Sequence, residues 1–386
     1  MAKNSIFRKL TIGINRIYTK ALSCGIKLMI QKNYSKLLKR HPHPAFSSEK
    51  EYKKLWSPLT KNPDNSTYRL FSQYIGEEPA IAPETVIANI IQPLLNPIEY
   101  RPYYRDKNAF DKILGADFLP TTLLRSMEGS LLDASYNSIV NPETTLAEIN
   151  RTESRVFLKP TVDSSSGQGV VGFERGDDGV LRKFGDGIVL DKTFIDKYKA
   201  QNPNFILQRA LTQHPEVSLF NPTSINTIRI ATYRSVVDNK PHFLRAIIRI
   251  GKAGSIVDNA HSGGLFVGVD ETGTLGKYAC DQYGNRYDKF NGVNFKDNTY
   301  TIPNFDKVIK FSEEIAKKVL HARLLAQDIC IEENGEPKLV EFNIGAFSAW
   351  LFQFTSGTAF GEYTQEIIDY CKTRKENISK VFVEPF

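Results

Sequence analysis

The sequence predicts an α+β fold with a mainly helical region ahead of it, and three observations carry that prediction. β-Prone runs come in adjacent pairs across the turn sequences "VDNK", "DETG" and "EENGEP", the pattern of antiparallel hairpins. Segments of helical period, Phe305–Leu320 above all, are interspersed among them. Residues 41–105 are rich in Pro and Tyr and show short helical patches.

Taken in order, residues 4–30 fall on a wheel of roughly 100° per residue. Phe7, Leu10, Ile14, Ile17, Tyr18 and Ala21 lie on one side; Arg8, Lys9, Arg16, Lys20 and Lys27 lie on the other. Such a basic amphipathic helix either packs its apolar stripe on the body, the commoner outcome, or lies on an anionic membrane surface. Residues 1–40 are thus a basic helical extension, and 41–105 an irregular helical lead-in. Within the lead-in a helix is expected over Glu84–Gln92, between Pro83 and Pro93. Asp106–Leu114 and Thr144–Asn150 read as short helices. Strand-like runs follow at Val156–Lys159, Val170–Glu174, Gly187–Leu190 and Phe205–Gln208. Thr227–Val237 pairs with His242–Ile250, Leu265–Val269 with Leu275–Tyr278, and Leu325–Ile331 with Lys338–Phe342. Glu362–Cys371 is a closing helix.

At 386 residues the chain has room for two or three domains or subdomains. Its net charge of +7 is uneven: residues 1–48 hold ten Lys or Arg and no acid, so the remainder is slightly acidic. A folded body without a basic excess argues against nucleic-acid binding. Cys24, Cys280, Cys330 and Cys371 form no CxxC pair, so neither a disulfide framework nor a zinc site is expected, and a reducing, cytoplasmic setting fits. The apolar run Ala21–Ile30 is short and broken by Lys27; it predicts neither a spanning helix nor a signal peptide.

Four groups of residues bear chemistry. "KPTVDSSSGQGV" leads from a strand into a small flexible loop, whose backbone N–H groups can cradle phosphate oxygens while Lys159 neutralises them. It is neither a Walker loop nor a dinucleotide fingerprint, and such a loop alone is more often just a flexible turn. Asp328, Glu341 and Asn343 form an oxygen-only set: Glu341 and Asn343 share a strand face, being two apart, and Asp328 on the partner strand can meet them. Such a set suits Mg²⁺. Arg229 stands mid-strand among Ile228, Ile230 and Ala231 and needs an anion, either a structural carboxylate or a phosphoryl group. "DNAHSGG", residues 258–264, is a substrate-contact loop or a turn.

The order of these pieces resembles the ATP-grasp superfamily: Lys107, Lys159 with its Ser/Gly loop, Gln208, Arg229, Asn259-x-x-x-Gly263-Gly264, Asp328, then Glu341-x-Asn343. "QHPEV…NPTSINTIRIAT", "DNAHSGG", "VEFNIG" and "FGEYTQEIIDY" look like its sugar-transfer-associated branch, over roughly residues 100–372. The resemblance implies two α+β subdomains gripping ATP, at 106–210 and 211–386. By it, Lys107 and Lys159 contact phosphates, and Ser164, Ser165, Ser166, Gly167, Gln168 and Gly169 fold over them. Gln208, Arg209 and Leu211 line adenine, and Glu216 takes the ribose. Asp328, Glu341 and Asn343 hold Mg²⁺, and Arg229, with Lys159, serves the transferring phosphoryl group. Asn226, Asn259, Ser262, Gly263 and Gly264 contact substrate. Gln208 and Arg209 stand where many members place a Glu.

The expected activity is carboxylate–amine ligation through an acyl-phosphate, with a small or sugar-linked carboxylate and an amine as partners, in surface-polysaccharide modification. A kinase acting on a sugar hydroxyl and a nucleotide-binding membrane-surface scaffold are the alternatives. Contact with the inner face of a membrane falls to residues 1–30.

Overall fold

A computed structural model describes residues 2–41, 46–162, 168–255, 258 and 260–378. Two antiparallel sheets dominate it. The first comprises β1 (Thr122–Met127), β2 (Ser130–Leu132), β3 (Arg155–Pro160), β4 (Val171–Arg175), β5 (Leu181–Lys183) and β6 (Phe205–Arg209), in the order β2-β1-β6-β3-β4-β5. Helices Pro142–Thr152 and Lys192–Gln201 cover it, seating Leu146, Ile149 and Ile195 on Leu124, Val156, Leu158 and Leu207. Asn141 and Asp191 start these helices by accepting from the backbone N–H of Thr144 and Phe194, the usual N-cap arrangement.

The second sheet holds β7 (Ile228–Arg234), β8 (Pro241–Ile250), β9 (Leu265–Val269), β10 (Ala279–Cys280), β11 (Arg286–Tyr287), and, beyond a small ribbon of β12 (Lys289–Phe290) and β13 (Val293–Asn294), β14 (Leu324–Ile331) and β15 (Pro337–Asn343). Its order is β11-β10-β9-β8-β7-β14-β15. Every residue of β14 is buried, because both faces of this sheet are covered. Leu325, Ile329 and Ile331 face the core under helix Phe305–Lys318, whereas Leu324 and Ala326 face the N-terminal and C-terminal helices. The lead-in therefore shares a core with the C-terminal sheet: Tyr52, Trp56, Tyr68 and Phe71 sit in one cluster with Phe352, Phe354 and Ile367.

Several expectations need correction. Gly187–Leu190 is not a strand. Gly185 and Gly187 adopt φ +89° and +70°, turning the chain, and β5 forms earlier, at Leu181–Lys183. Leu275–Tyr278 contributes a single bridge, Leu275 to Val269, and the pairing strand is β10. Helix Glu84–Val86 runs past Pro93 to Leu95 through a π turn over Ile87–Ile91. Pro93 has no N–H for the carbonyl of Asn89, and the widened turn accommodates that missing bond.

The first helix spans Ala2–Arg40, and the part of its N-terminal apolar stripe whose side chains are described does not pack on the body. Ile14, Ile17 and Tyr18 are exposed, as are Leu22, Leu28 and Met29. The side that docks carries Tyr34 and Leu37, both buried, with Ile30 beside them. No described helix is long and apolar enough to cross a membrane. All four cysteines are free; Cys24 is exposed and the other three are buried.

Candidate active site

A cleft of about 1060 Å³ opens between the two sheets. Lys159 reaches it from the end of β3 and Val170 from just before β4; Asp328 comes from β14, and Glu341 and Asn343 from β15. Lys107 enters from the turn after the lead-in, where its backbone N–H bonds the carbonyl of Thr161 at 3.2 Å. That bond ties Lys107 to the base of the Ser/Gly loop. Residues 163–167, with Ser164, Ser165, Ser166 and Gly167, lie outside the described residues, as does Asn259.

The hairpin delivers the acidic set as its period dictates. Asp328 stands opposite Glu341 on one side and opposite Arg229 on the other. Glu341 and Asn343 share the cleft face of β15. Lys107 Nζ lies 3.7 Å from Glu341 Oε1. Lys159 is half-buried, and burial with the Lys107 charge pushes its ammonium down to about 8, Glu341 opposing. The cleft thus holds two lysines close together and one carboxylate between them, a strong attractor for a polyphosphate.

Arg229 settles its own ambiguity. Its Nε and Nη2 donate to Asp328 Oδ1 and Oδ2, each at 2.8 Å, a bidentate pair. Arg249 on β8 adds a contact to Asp328 at 3.3 Å and holds Asp258 at 2.5 Å. Asp258 also accepts from Thr227. Burial alone would raise the Asp328 carboxyl, but Arg229 and Arg249 hold it below the usual carboxylate range. The same network raises Arg249 against its own burial, through Asp258, Asp328 and Glu341. Arg229 is therefore first a partner of Asp328, and its guanidinium fork is already engaged.

The adenine-side residues divide. Gln208 is buried; its amide nitrogen bonds the Pro120 carbonyl at 3.2 Å, and its Oε1 has no partner among the described residues although Gln208 lines the cleft. An orphan acceptor there fits an exocyclic amine. The Arg209 side chain turns to Glu153, at 2.7 Å to both oxygens, so only its position along β6 bears on the cleft. Leu211 lines the cleft. Glu216 is exposed on the short helix Pro215–Ser218 and is not among the lining residues, so the ribose role has no support. Asn226 is buried and bonds Gln213, Val217 and Asn221; it braces a loop whose Gln213, Ile225 and Thr227 line the cleft without lining it itself. Ser262 and Gly263 are exposed and Gly264 is buried, none of them lining the cleft; from that segment Asp258 and Ala260 reach it instead. Gln168 is exposed outside the lining, and the carbonyl of Gly169 accepts from the Tyr198 hydroxyl at 2.8 Å.

Residues 89–368 match the family described as sugar-transfer associated ATP-grasp. The chain belongs to that family. The sugar-transfer-associated ATP-grasp chain has no match among curated proteins. Among solved structures it resembles an L-amino acid ligase from Bacillus licheniformis, at 11% identity and TM-score 0.37, over 70% of this chain and 48% of that one. It thus spans about half of that ligase's length. D-cycloserine synthetase DcsG gives 11% identity and TM-score 0.40, covering 72% and 73% of the two chains. A D-alanine-D-alanine ligase from Coxiella burnetii gives 10% and 0.40, covering 77% and 68%.

In this ATP-grasp chain the oxygen set Asp328, Glu341 and Asn343 fits a cation that keeps water and phosphate in its shell. Both Asp328 oxygens already accept from arginine, which leaves Glu341 and Asn343 as the freer donors. Among the described residues no three His, Cys, Asp or Glu converge. Sequence reading missed Arg249, which carries the same signal as Arg229: a lone guanidinium in an apolar strand, here "AIIRIG". It also missed Asp258, hidden in a loop that was noted for other residues.

Proposed function

We propose that the chain is an Mg²⁺- and ATP-dependent carboxylate–amine ligase acting on a small or sugar-linked acid. The observation that carries this reading is the meeting of Lys107, Lys159 and Glu341 in one cleft with Asp328 and Asn343. No cysteine or histidine stands among the described residues lining that cleft, which agrees with chemistry that needs no protein nucleophile. A divalent cation bound by Glu341 and Asn343 would supply charge neutralisation to the phosphates. Lys159 and Lys107 bind phosphate oxygens, Gln208 orients the base, and the Arg229–Asp328–Arg249 network fixes the carboxylate side of the cleft. The γ-phosphoryl group passes to a substrate carboxylate oxygen and ADP leaves. The amine lone pair then attacks the acyl carbon, the C–O bond breaks toward phosphate, and the amine releases a proton.

Incubation with ATP, Mg²⁺ and a panel of acids, uronic acids included, with amines is expected to release ADP and phosphate only when both partners are present. AMP and pyrophosphate would refute the reading. A phosphorylated product formed without amine would establish the kinase alternative instead. Glu341→Ala is expected to abolish turnover with the fold intact; undiminished turnover excludes the metal role.

Placement in polysaccharide modification on the cytoplasmic face of a membrane belongs to the same proposal. Its support is the first helix, whose exposed Ile14, Ile17, Tyr18, Leu28 and Met29 face away from the docking side. Lys32, Lys36 and Lys39, also exposed, continue that outward face. Vesicles rich in phosphatidylserine are expected to pellet the full chain, and Ile17→Asp to weaken this. Equal pelleting of the variant removes the idea.

A further inference from the structure

Arg101 lines the cleft without a role in nucleotide or metal binding. It sits between two 3-10 turns, Ile98–Tyr100 and Pro102–Tyr104, each following a proline or beginning with one. The neighbours hold this corner firmly. The Tyr100 ring stacks on His321 at 3.9 Å, the Tyr104 hydroxyl accepts from the His321 N–H at 3.3 Å, and Tyr104 is buried. The arginine backbone is therefore fixed while its side chain lines the cleft.

The guanidinium lies over Gly345: a methyl group placed on that glycine would stand 3.7 Å from Nη1. Gly345 and Ala346 are exposed and small, leaving room beside it. Among the described residues its buried Nε has no hydrogen-bond partner and no carboxylate forms an ion pair with it. Burial, with the charge of Arg105, loosens its proton, and Glu99 is the acid that opposes them. A half-buried guanidinium held in that state is set for a ligand, since desolvation without a partner otherwise only destabilises.

Chain order relates this group to the acidic set. Glu341, Asn343 and Gly345 follow at two-residue intervals. An extended chain rises about 3.3 Å per residue, so Gly345 stands at most about 13 Å beyond Glu341. Arg101, over Gly345, is thus within one small molecule's length of Glu341.

We propose that Arg101 anchors an anionic group, carboxylate or phosphoryl, of the acceptor substrate at the end of the cleft beyond Asn343. The planar fork matches either group bidentately. The word acceptor rests on the ligase reading; the anion site does not. The substrate class is accordingly one with a negative charge remote from the reacting centre, such as an acidic sugar or a sugar phosphate.

The test is calorimetric titration of the full chain, saturated with Mg²⁺ and a non-hydrolysable ATP analogue. Inorganic phosphate and D-glucuronate are the separate probes. The wild type is expected to bind at least one, phosphate preference marking a phosphoryl group and glucuronate preference a carboxylate. Arg101→Gln is expected to weaken that binding tenfold or more, and Arg101→Lys by less, both retaining affinity for the analogue, with wild-type thermal melts as proof of folding. Binding unchanged in Arg101→Gln overturns the proposal, as does no binding of either probe to the wild type. Loss of analogue affinity in both variants places Arg101 at the triphosphate and overturns it too. If the wild type takes no analogue, the ligase reading fails, and the same titration on the nucleotide-free chain still decides the role of Arg101.

Discussion

Lys159 makes nucleotide affinity depend on pH in a way that its environment dictates. Its ammonium falls from the ordinary 10.5 to about 8, mainly through burial and secondarily through Lys107. The charged form is therefore disfavoured by about 3 kcal/mol relative to water, at 1.36 kcal/mol per pH unit. A bound triphosphate supplies negative charge beside it and reverses that shift. The free chain carries Lys159 about nine-tenths protonated at pH 7 and about one-tenth at pH 9, whereas the complex needs it protonated throughout. Affinity for a non-hydrolysable ATP analogue should then fall about twofold from pH 7 to 8, about fivefold from pH 8 to 9 and nearly tenfold per unit above that. Calorimetry in two buffers of different ionisation enthalpy should show uptake of close to one proton at pH 9 and little at pH 7. Lys159→Arg, which stays charged, should flatten the profile, and Lys159→Met should weaken binding at pH 7 by about 1.5–3 kcal/mol, the range for hydrogen bonds to charged groups. A wild-type profile that stays level to pH 9.5, or a Lys159→Arg profile identical to it, refutes the reasoning.

Three further outcomes follow from the same geometry. Asp328→Asn leaves Arg229 and Arg249 without the charge between them and should cost about 3–5 kcal/mol in urea unfolding; because the native carboxyl is lowered, its contribution is full above the unfolded value near 3.8 and is lost as pH drops through the native one, so wild type and variant should converge in strong acid. Gly169 has φ +77°, and a Cβ there would lie 2.7 Å from Pro160 Cγ, so Gly169→Ala should destabilise by about 1–3 kcal/mol in thermal melts; an unchanged midpoint contradicts the loop geometry. Glu84 is raised from 4.5 to about 7 by burial, against the Trp350 backbone and Tyr34. The unfolded chain gives up that proton first, so stability should decline from pH 4.5 to 7 by at most about 3 kcal/mol. Glu84→Gln should remove that slope and stabilise at pH 8, and equal urea midpoints at pH 5 and 8 for both proteins would contradict it.

What the sequence revealed follows from how local each signal is. Glu341 and Asn343 were readable because a strand repeats every two residues, and Asp328 because one hairpin turn fixes its register with them. Lys107 and Lys159 came from the order of motifs, and a single backbone bond, Lys107 to Thr161, turns that order into proximity. Glu216 and Asn226 misled because residue type alone cannot say which way a loop faces: one points to solvent and the other into a knot of carbonyls. Arg101 was invisible for the opposite reason, since its meaning lies in partners it lacks. The first helix shows the limit most sharply. Its apolar periodicity over residues 4–30 was real, yet periodicity names a stripe and not the surface beneath it. The body takes hold further on, through Tyr34 and Leu37, on nearly the opposite side of the same cylinder at roughly 100° per residue. Two apolar stripes on opposed faces of one helix require two different covers, and the folded body supplies one of them.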